Sequence, residues 1–142
     1  MNRREFVGGT CCVFAGMSSG CLTGSRSEPN PEIGLLEVEN HRRNGSYVFT
    51  VEIVDTGYSN DEEGVVFHET QRLGPAGSGN SAVVFETPVE PGGHTVRVEV
   101  GEYSASAETR ELISDDQTCL RLQFYLGTET LHMEPHLFDR CE

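Results

Sequence analysis

From residue 33 onward the chain alternates apolar and polar positions with a period of two, the pattern of strands with one face in a core and the other in water. Leu36 and Val38 alternate with Glu37 and Glu39, and a polar turn follows at 40–45. The clearest run is 46–55, where Tyr47, Phe49, Val51 and Ile53 share one face and Val48, Thr50, Glu52 and Val54 the other. Val65, Phe67 and Leu73 mark a third strand, and Glu69 and Gln71 on its apolar face predict an edge. Residues 81–87 predict a fourth strand ending at Pro88, and 94–102 a fifth with Val96, Val98 and Val100 inward. A weaker sixth spans 104–113, because Ala105 and Ala107 bury little. Leu120, Leu122, Phe124 and Leu126 form a seventh, and a turn at 127–129 leads to an eighth carrying Leu131 and Met133. No stretch has a sustained helical stripe. Seven or eight short strands at roughly ten-residue spacing predict an all-β, antiparallel β-sandwich. Parallel crossovers would need helices that the pattern does not contain.

The first 32 residues do not share this pattern. Residues 1–20 have a paired-arginine head (Arg3, Arg4), a short weakly apolar stretch and a small-residue exit, the tripartite layout of an export signal. About eleven helical residues span only some 16 Å, roughly half a hydrocarbon core, so this is not a spanning helix. Arg3, Arg4, Glu5, Phe6 and Val7 resemble the twin-arginine signal that addresses folded proteins for export. Ser18, Ser19, Gly20 and Cys21 resemble a lipobox, with Ser18 where that pattern usually has an aliphatic residue. The resemblance implies cleavage before Cys21 and a lipid on its thiol, through which the mature chain would hold the membrane. Residues 21–32, rich in Ser, Pro and Gly, read as a flexible lipid-anchored tether, and 33–142 as the folded domain.

Charge narrows the partners. The chain has 23 acidic and 10 basic residues, every basic one an Arg. Without residues 1–20, which contain Arg3, Arg4 and Glu5, the balance is 8 basic against 22 acidic, a net charge of −14. Such a charge disfavours nucleic acid and anionic lipid, and it makes the compact state repel itself in dilute buffer. At about 1 M salt the Debye length falls to roughly 3 Å and the repulsion is screened. Acid excess without Lys resembles the proteins of salt-loving archaea, where twin-arginine lipoproteins are also common.

The run Val89, Glu90, Pro91, Gly92, Gly93, His94, Thr95, Val96, Arg97, Val98 resembles the Pro-Gly approach to the penultimate strand of immunoglobulin-like and fibronectin-III-like surface domains. That resemblance covers 33 to about 113 and implies an immunoglobulin-like sandwich. There is no Trp and no Cys between Leu22 and Thr118, so an antibody-type pin is missing. Of the five Cys, Cys11 and Cys12 belong to the signal and Cys21 to the anchor, which leaves Cys119 and Cys141 as a disulfide in an oxidising compartment. Closing a loop of that length contributes on the order of 3 kcal/mol. If Leu126 faces Leu131, Cys119 faces about Phe138, and simple alternation puts Cys141 on the opposite side. A bend near Pro135 or an irregular tail has to bring it back.

Candidate chemistry is sparse. His132, Met133, Glu134 and His136 suggest a metal, but His132 and His136 lie about 13 Å apart on a strand, too far to share an ion. Cys141 follows both histidines, unlike the cupredoxin order. His68 and Glu69 point to opposite strand faces. Asp61, Glu62 and Glu63 lack the spacing of a calcium loop, and Gly74, Gly77 and Gly79 lack the following Lys of a phosphate loop. Tyr47, Phe49 and Phe124 read as core. The expected function is a non-catalytic, membrane-anchored surface lipoprotein without a cofactor, serving as an interaction or envelope module with an envelope protein as partner. The alternative is a small solute- or metal-binding lipoprotein accessory to a transporter or redox chain.

Overall fold

A computed structural model describes residues 30–55 and 64–141. Arg3, Arg4, Cys21, most of the tether and the acidic run 61–63 lie outside the described residues. Eight strands and one helical turn follow in order: β1 (Glu32–Asn40), β2 (Tyr47–Asp55), β3 (Val65–Leu73), β4 (Ala82–Glu86), β5 (His94–Val100), β6 (Tyr103–Glu108), α1 (Thr109–Leu112), β7 (Cys119–Leu126) and β8 (Leu131–Phe138). They form two four-stranded sheets, ordered β4-β1-β7-β8 and β3-β2-β5-β6. The molecule is an all-β sandwich.

Period-two alternation builds the core directly. Leu36, Val38, Leu120, Leu122, Phe124 and Leu126 from one sheet meet Phe49, Val51, Ile53, Val96, Val98 and Val100 from the other, all essentially inaccessible to water. Ile33 and Leu36 are both buried although they lie three positions apart, an offset that strict alternation would put on opposite faces. A register shift between Ile33 and Leu35 supplies the extra residue that returns Ile33 to the core.

Two features depart from the sequence expectation. β1 and β7 pair in parallel, with Glu32 opposite Cys119 and Asn40 opposite Leu126. No crossover helix is needed, because the remaining strands of the sandwich serve as the connection. The sixth strand ends at Glu108 and gives way to α1, which buries Thr109 beneath the start of β5. Thr109 Oγ1 accepts the His94 backbone N–H at 2.9 Å.

The hairpin β7–β8 has the register set by its short turn, with Leu126 opposite Leu131 and Cys119 opposite Phe138. Pro135 sits in β8, an edge strand, where a missing N–H is tolerated. Phe67 and Phe85 meet edge to face at 5.1 Å across one open side of the sandwich, and β6 runs alongside β8 on the other.

Candidate functional site

The sandwich has two unlike poles. At the proximal pole the chain enters β1 at Glu32, β7 begins at Cys119, and β4 and β8 end. Cys119 and Cys141 are disulfide-bonded here, with Cα atoms 5.1 Å apart. Residues 139–141, beyond the last strand, make the correction that strict alternation required. Gly34, within the β1 irregularity, leaves room for the two sulfurs. Beside them opens a shallow pocket of about 350 Å³ lined by Gly34, Glu86, Thr87, Arg121 and the two Cys. Arg121 stacks its guanidinium 4.5 Å from the centroid of Phe138.

A second proximal feature is His94, buried by the loop that carries Pro91 and Gly92. Its Nε2 lies 2.9 Å from Asp55 Oδ1 and its Nδ1 lies 3.0 Å from the Gly92 carbonyl. These two contacts tie the ring to the end of β2 and to the loop before β5. The arrangement fixes the loop.

The distal pole is built differently. Asn40 ends β1 in full burial; its Nδ2 donates to the carbonyls of Gly45 (3.0 Å) and Gly74 (2.8 Å), and its Oδ1 accepts the Arg42 backbone N–H (2.9 Å). That anchored turn aims Arg42 between two rings, 5.3 Å from the Tyr47 centroid and 5.2 Å from that of Tyr103. Arg42 Nε donates to the Gly127 carbonyl at 2.8 Å, tying the β1–β2 turn to the β7–β8 turn. Next to it, on the outer face of the β4-β1-β7-β8 sheet, His41, Tyr125 and His132 stack in a row at 4.6 and 4.8 Å. His41 Nε2 lies 2.8 Å from Glu39 Oε1, and the Tyr125 hydroxyl donates to Glu134 Oε2 at 3.0 Å. That hydrogen bond is the leading cause that raises the Tyr125 phenol above its ordinary value.

The sequence candidates disperse over this frame. His132 belongs to the distal stack, whereas His136 pairs with Arg121 towards the opposite end of β8. Among the described residues no group of three or more His, Cys, Asp or Glu converges to hold a metal ion. Phe49 and Phe124 are core, but Tyr47 is only half-buried and turns its hydroxyl to Asn44 Oδ1 at 2.9 Å. The distal cluster joins residues from β1, β2, β6, β7, β8 and a turn, and only the placement of Tyr47 at a strand end hinted at it.

The distal pole gathers Tyr and His rings, a guanidinium lying against two of the Tyr rings, and carboxylates at the margin; of these, Tyr and Arg are the types enriched at protein interfaces.

No protein-family model matches the chain, and no curated protein matches it. Among solved structures, the chain is similar to a candidate cell adhesion protein from Bacteroides ovatus, with a TM-score of 0.37 and 7% identity over 92% of this chain and 48% of that one. It is also similar to a structure named Trapped Toxin, with a TM-score of 0.31 and 12% identity over 74% of this chain and 24% of that one. The human-specific toxin intermedilysin gives a TM-score of 0.28 and 11% identity over 74% of this chain and 23% of that one. The chain thus spans about half the length of the first of these and about a quarter of the other two.

Proposed function

We propose that this protein is a non-catalytic surface module, exported and held to the outer face of the membrane by lipid on Cys21, which presents its distal pole to a partner protein of the envelope. The observation that carries the reading is the division between the poles. The chain enters the domain at Glu32, eleven residues after Cys21, and that end is closed by the Cys119–Cys141 bond. The Arg42 and Tyr125 clusters stand at the far end of β1, about 30 Å away along nine residues of strand. An anchor at one end and a fixed cluster of aromatic and cationic groups at the other suit a domain that reaches outward.

The acidic surface supports an extracellular, salt-rich setting, in which its self-repulsion is screened. The decisive experiment is fractionation of cells producing the full chain. The mature protein is expected in the membrane fraction with a lipid mass on its N-terminal peptide, and Cys21→Ser is expected to move it to the soluble exported fraction. A full-length chain in the cytosol with residues 1–20 attached overturns the reading.

A further inference from the structure

Among the described residues, the edge of β4 is free of a paired strand and has a feature that the other three edges lack. β3 has charged Glu69 and Arg72, β8 contains Pro135 and Glu134, and β6 is flanked by β8. β4 reads Ala82, Val83, Val84, Phe85, Glu86, with no charge before its last residue, and Val84 is 46% exposed. Such an edge is a template for another strand.

Backbone parity fixes which groups are available. Asn40 N–H donates to the Ser81 carbonyl at 2.8 Å and Thr87 N–H to the Gly34 carbonyl at 3.1 Å. Along an antiparallel pair the hydrogen-bonded positions alternate, so Ser81, Val83, Phe85 and Thr87 turn their main-chain groups towards β1. Ala82, Val84 and Glu86 therefore turn theirs outward.

We infer that β4 pairs antiparallel with β4 of a second copy of this chain, about a two-fold axis at Val84. In that register every outward residue meets an outward residue: Val84 faces Val84, and Ala82 faces Glu86 in both directions. Each of the three pairs exchanges two N–H···O=C bonds, and the two four-stranded sheets become one of eight. Like charges stay apart. The nearest are Glu86 of one copy and Glu39 of the other, two strand spacings, about 10 Å, apart; the two Glu86 side chains are about 13 Å and the two Glu37 side chains about 14 Å from each other. All exceed the Debye length at physiological ionic strength, about 8 Å, the nearest only slightly. The net charge of each copy still opposes approach, so the pairing strengthens with salt.

Pairing a strand with its own copy turns the second domain end for end. The two chains then enter from opposite poles, which, on the surface-anchored reading above, is the arrangement of copies on two facing membranes. Copies in one membrane would need one tether to run back along the whole domain. A short strand pair is a weak interface by itself, and an array of them between two surfaces gains from effective concentration.

The test uses the purified full chain in molar KCl, so its outcome does not depend on whether Cys21 carries lipid. Under mild oxidation Val84→Cys is expected to give a cross-linked dimer through the introduced thiol, identified by peptide mass. Ala82→Cys alone is expected to give less than about a tenth as much, and Ala82→Cys mixed with Glu86→Cys a mixed cross-link. Val84→Pro removes an N–H that β1 does not use, and Val84→Lys adds a charge at the edge. Both are expected to raise the dimer dissociation constant in sedimentation at least tenfold while the protein stays folded by circular dichroism. A wild-type chain that sediments as a monomer at about millimolar concentration overturns the proposal. So does equal cross-linking at positions 82 and 84, or a β4 edge that captures a strand of a different protein and never its own copy.

Discussion

A methyl group added at Gly34 would lie 2.8 Å from Sγ of Cys141 and 3.2 Å from Sγ of Cys119. The disulfide therefore packs against the backbone of the first strand itself. Gly34→Ala is expected to lower the stability of the oxidised protein by about 1–3 kcal/mol, the usual cost of over-packing a closed site. The same substitution in a Cys119→Ala, Cys141→Ala background is expected to cost well under half as much, because the sulfurs that it meets are gone. Removing the two Cys alone is expected to cost about 3 kcal/mol. Denaturant midpoints of the four proteins of this cycle measure the coupling, and additivity would show that Gly34 and the disulfide do not touch.

At the other end of β1, Asn40 uses three hydrogen bonds to hold the turn that positions Arg42. Asn40→Ala leaves the Gly74 carbonyl without its partner in a buried setting and the Arg42 N–H without its partner in a partly buried one. A loss of about 2 kcal/mol is expected, with an unchanged denaturant slope. Arg42→Lys is expected to cost less stability and to keep the fold, but to lose the planar stack between Tyr47 and Tyr103, read as a change in the near-ultraviolet dichroism of those tyrosines.

Much of this architecture was legible in the alternation of residues, and the remainder follows from contacts that alternation does not encode. The facing sets Tyr47, Phe49, Val51, Ile53 and Leu120, Leu122, Phe124, Leu126 read straight from period two, and the Leu126–Leu131 turn fixed the register down to Cys119 and Phe138. The parallel pairing of β1 with β7 is a choice between distant strands, invisible to any local window. So is the slip at Gly34 that lets Ile33 and Leu36 share one side. The helical turn α1 is too short for a periodic stripe and depends on Thr109 Oγ1 meeting the His94 N–H. His94 itself has the parity of Val96 and could have been placed inside on that ground. The distal cluster arises where strand ends and turns from both sheets meet, and only the strand order of each sheet makes them neighbours.

His94 and Arg97 occupy the same strand and both stand near a carboxylate, yet their expected effects differ. His94 is buried and bonded at both ring nitrogens, whereas Arg97 lies 3.8 Å from Glu52 with about half of its side chain in water. His94→Ala is expected to cost about 2–3 kcal/mol, since it leaves a cavity and unpaired groups. Arg97→Ala is expected to stay within about 0.5 kcal/mol. Chemical denaturation at one fixed molar salt concentration compares them, and equal effects would mean that burial of His94 contributes nothing.

The carboxyl of Glu37 is raised above its ordinary value, first by burial and next by the negative charge of Glu39, with His41 acting in the opposite direction. A folded-state value above the unfolded one means that protonated Glu37 is favoured by folding. Its contribution to stability is present below about pH 4.3, the unfolded carboxyl value, and is lost as pH rises through the folded one. At neutral pH the ionised side chain is therefore a net cost. Glu37→Gln is expected to raise the melting temperature slightly at pH 7, by no more than about 0.5 kcal/mol in free energy for a side chain that is only partly buried. The gain is expected to shrink below about pH 4, where both side chains are neutral. Molar salt is expected to remove the part due to Glu39 and to leave the part due to burial. Melting curves of the two proteins across that pH range decide it: a Gln variant that is less stable at neutral pH, or a difference that does not vary with pH, would show that the outer face of β1 does not penalise this charge.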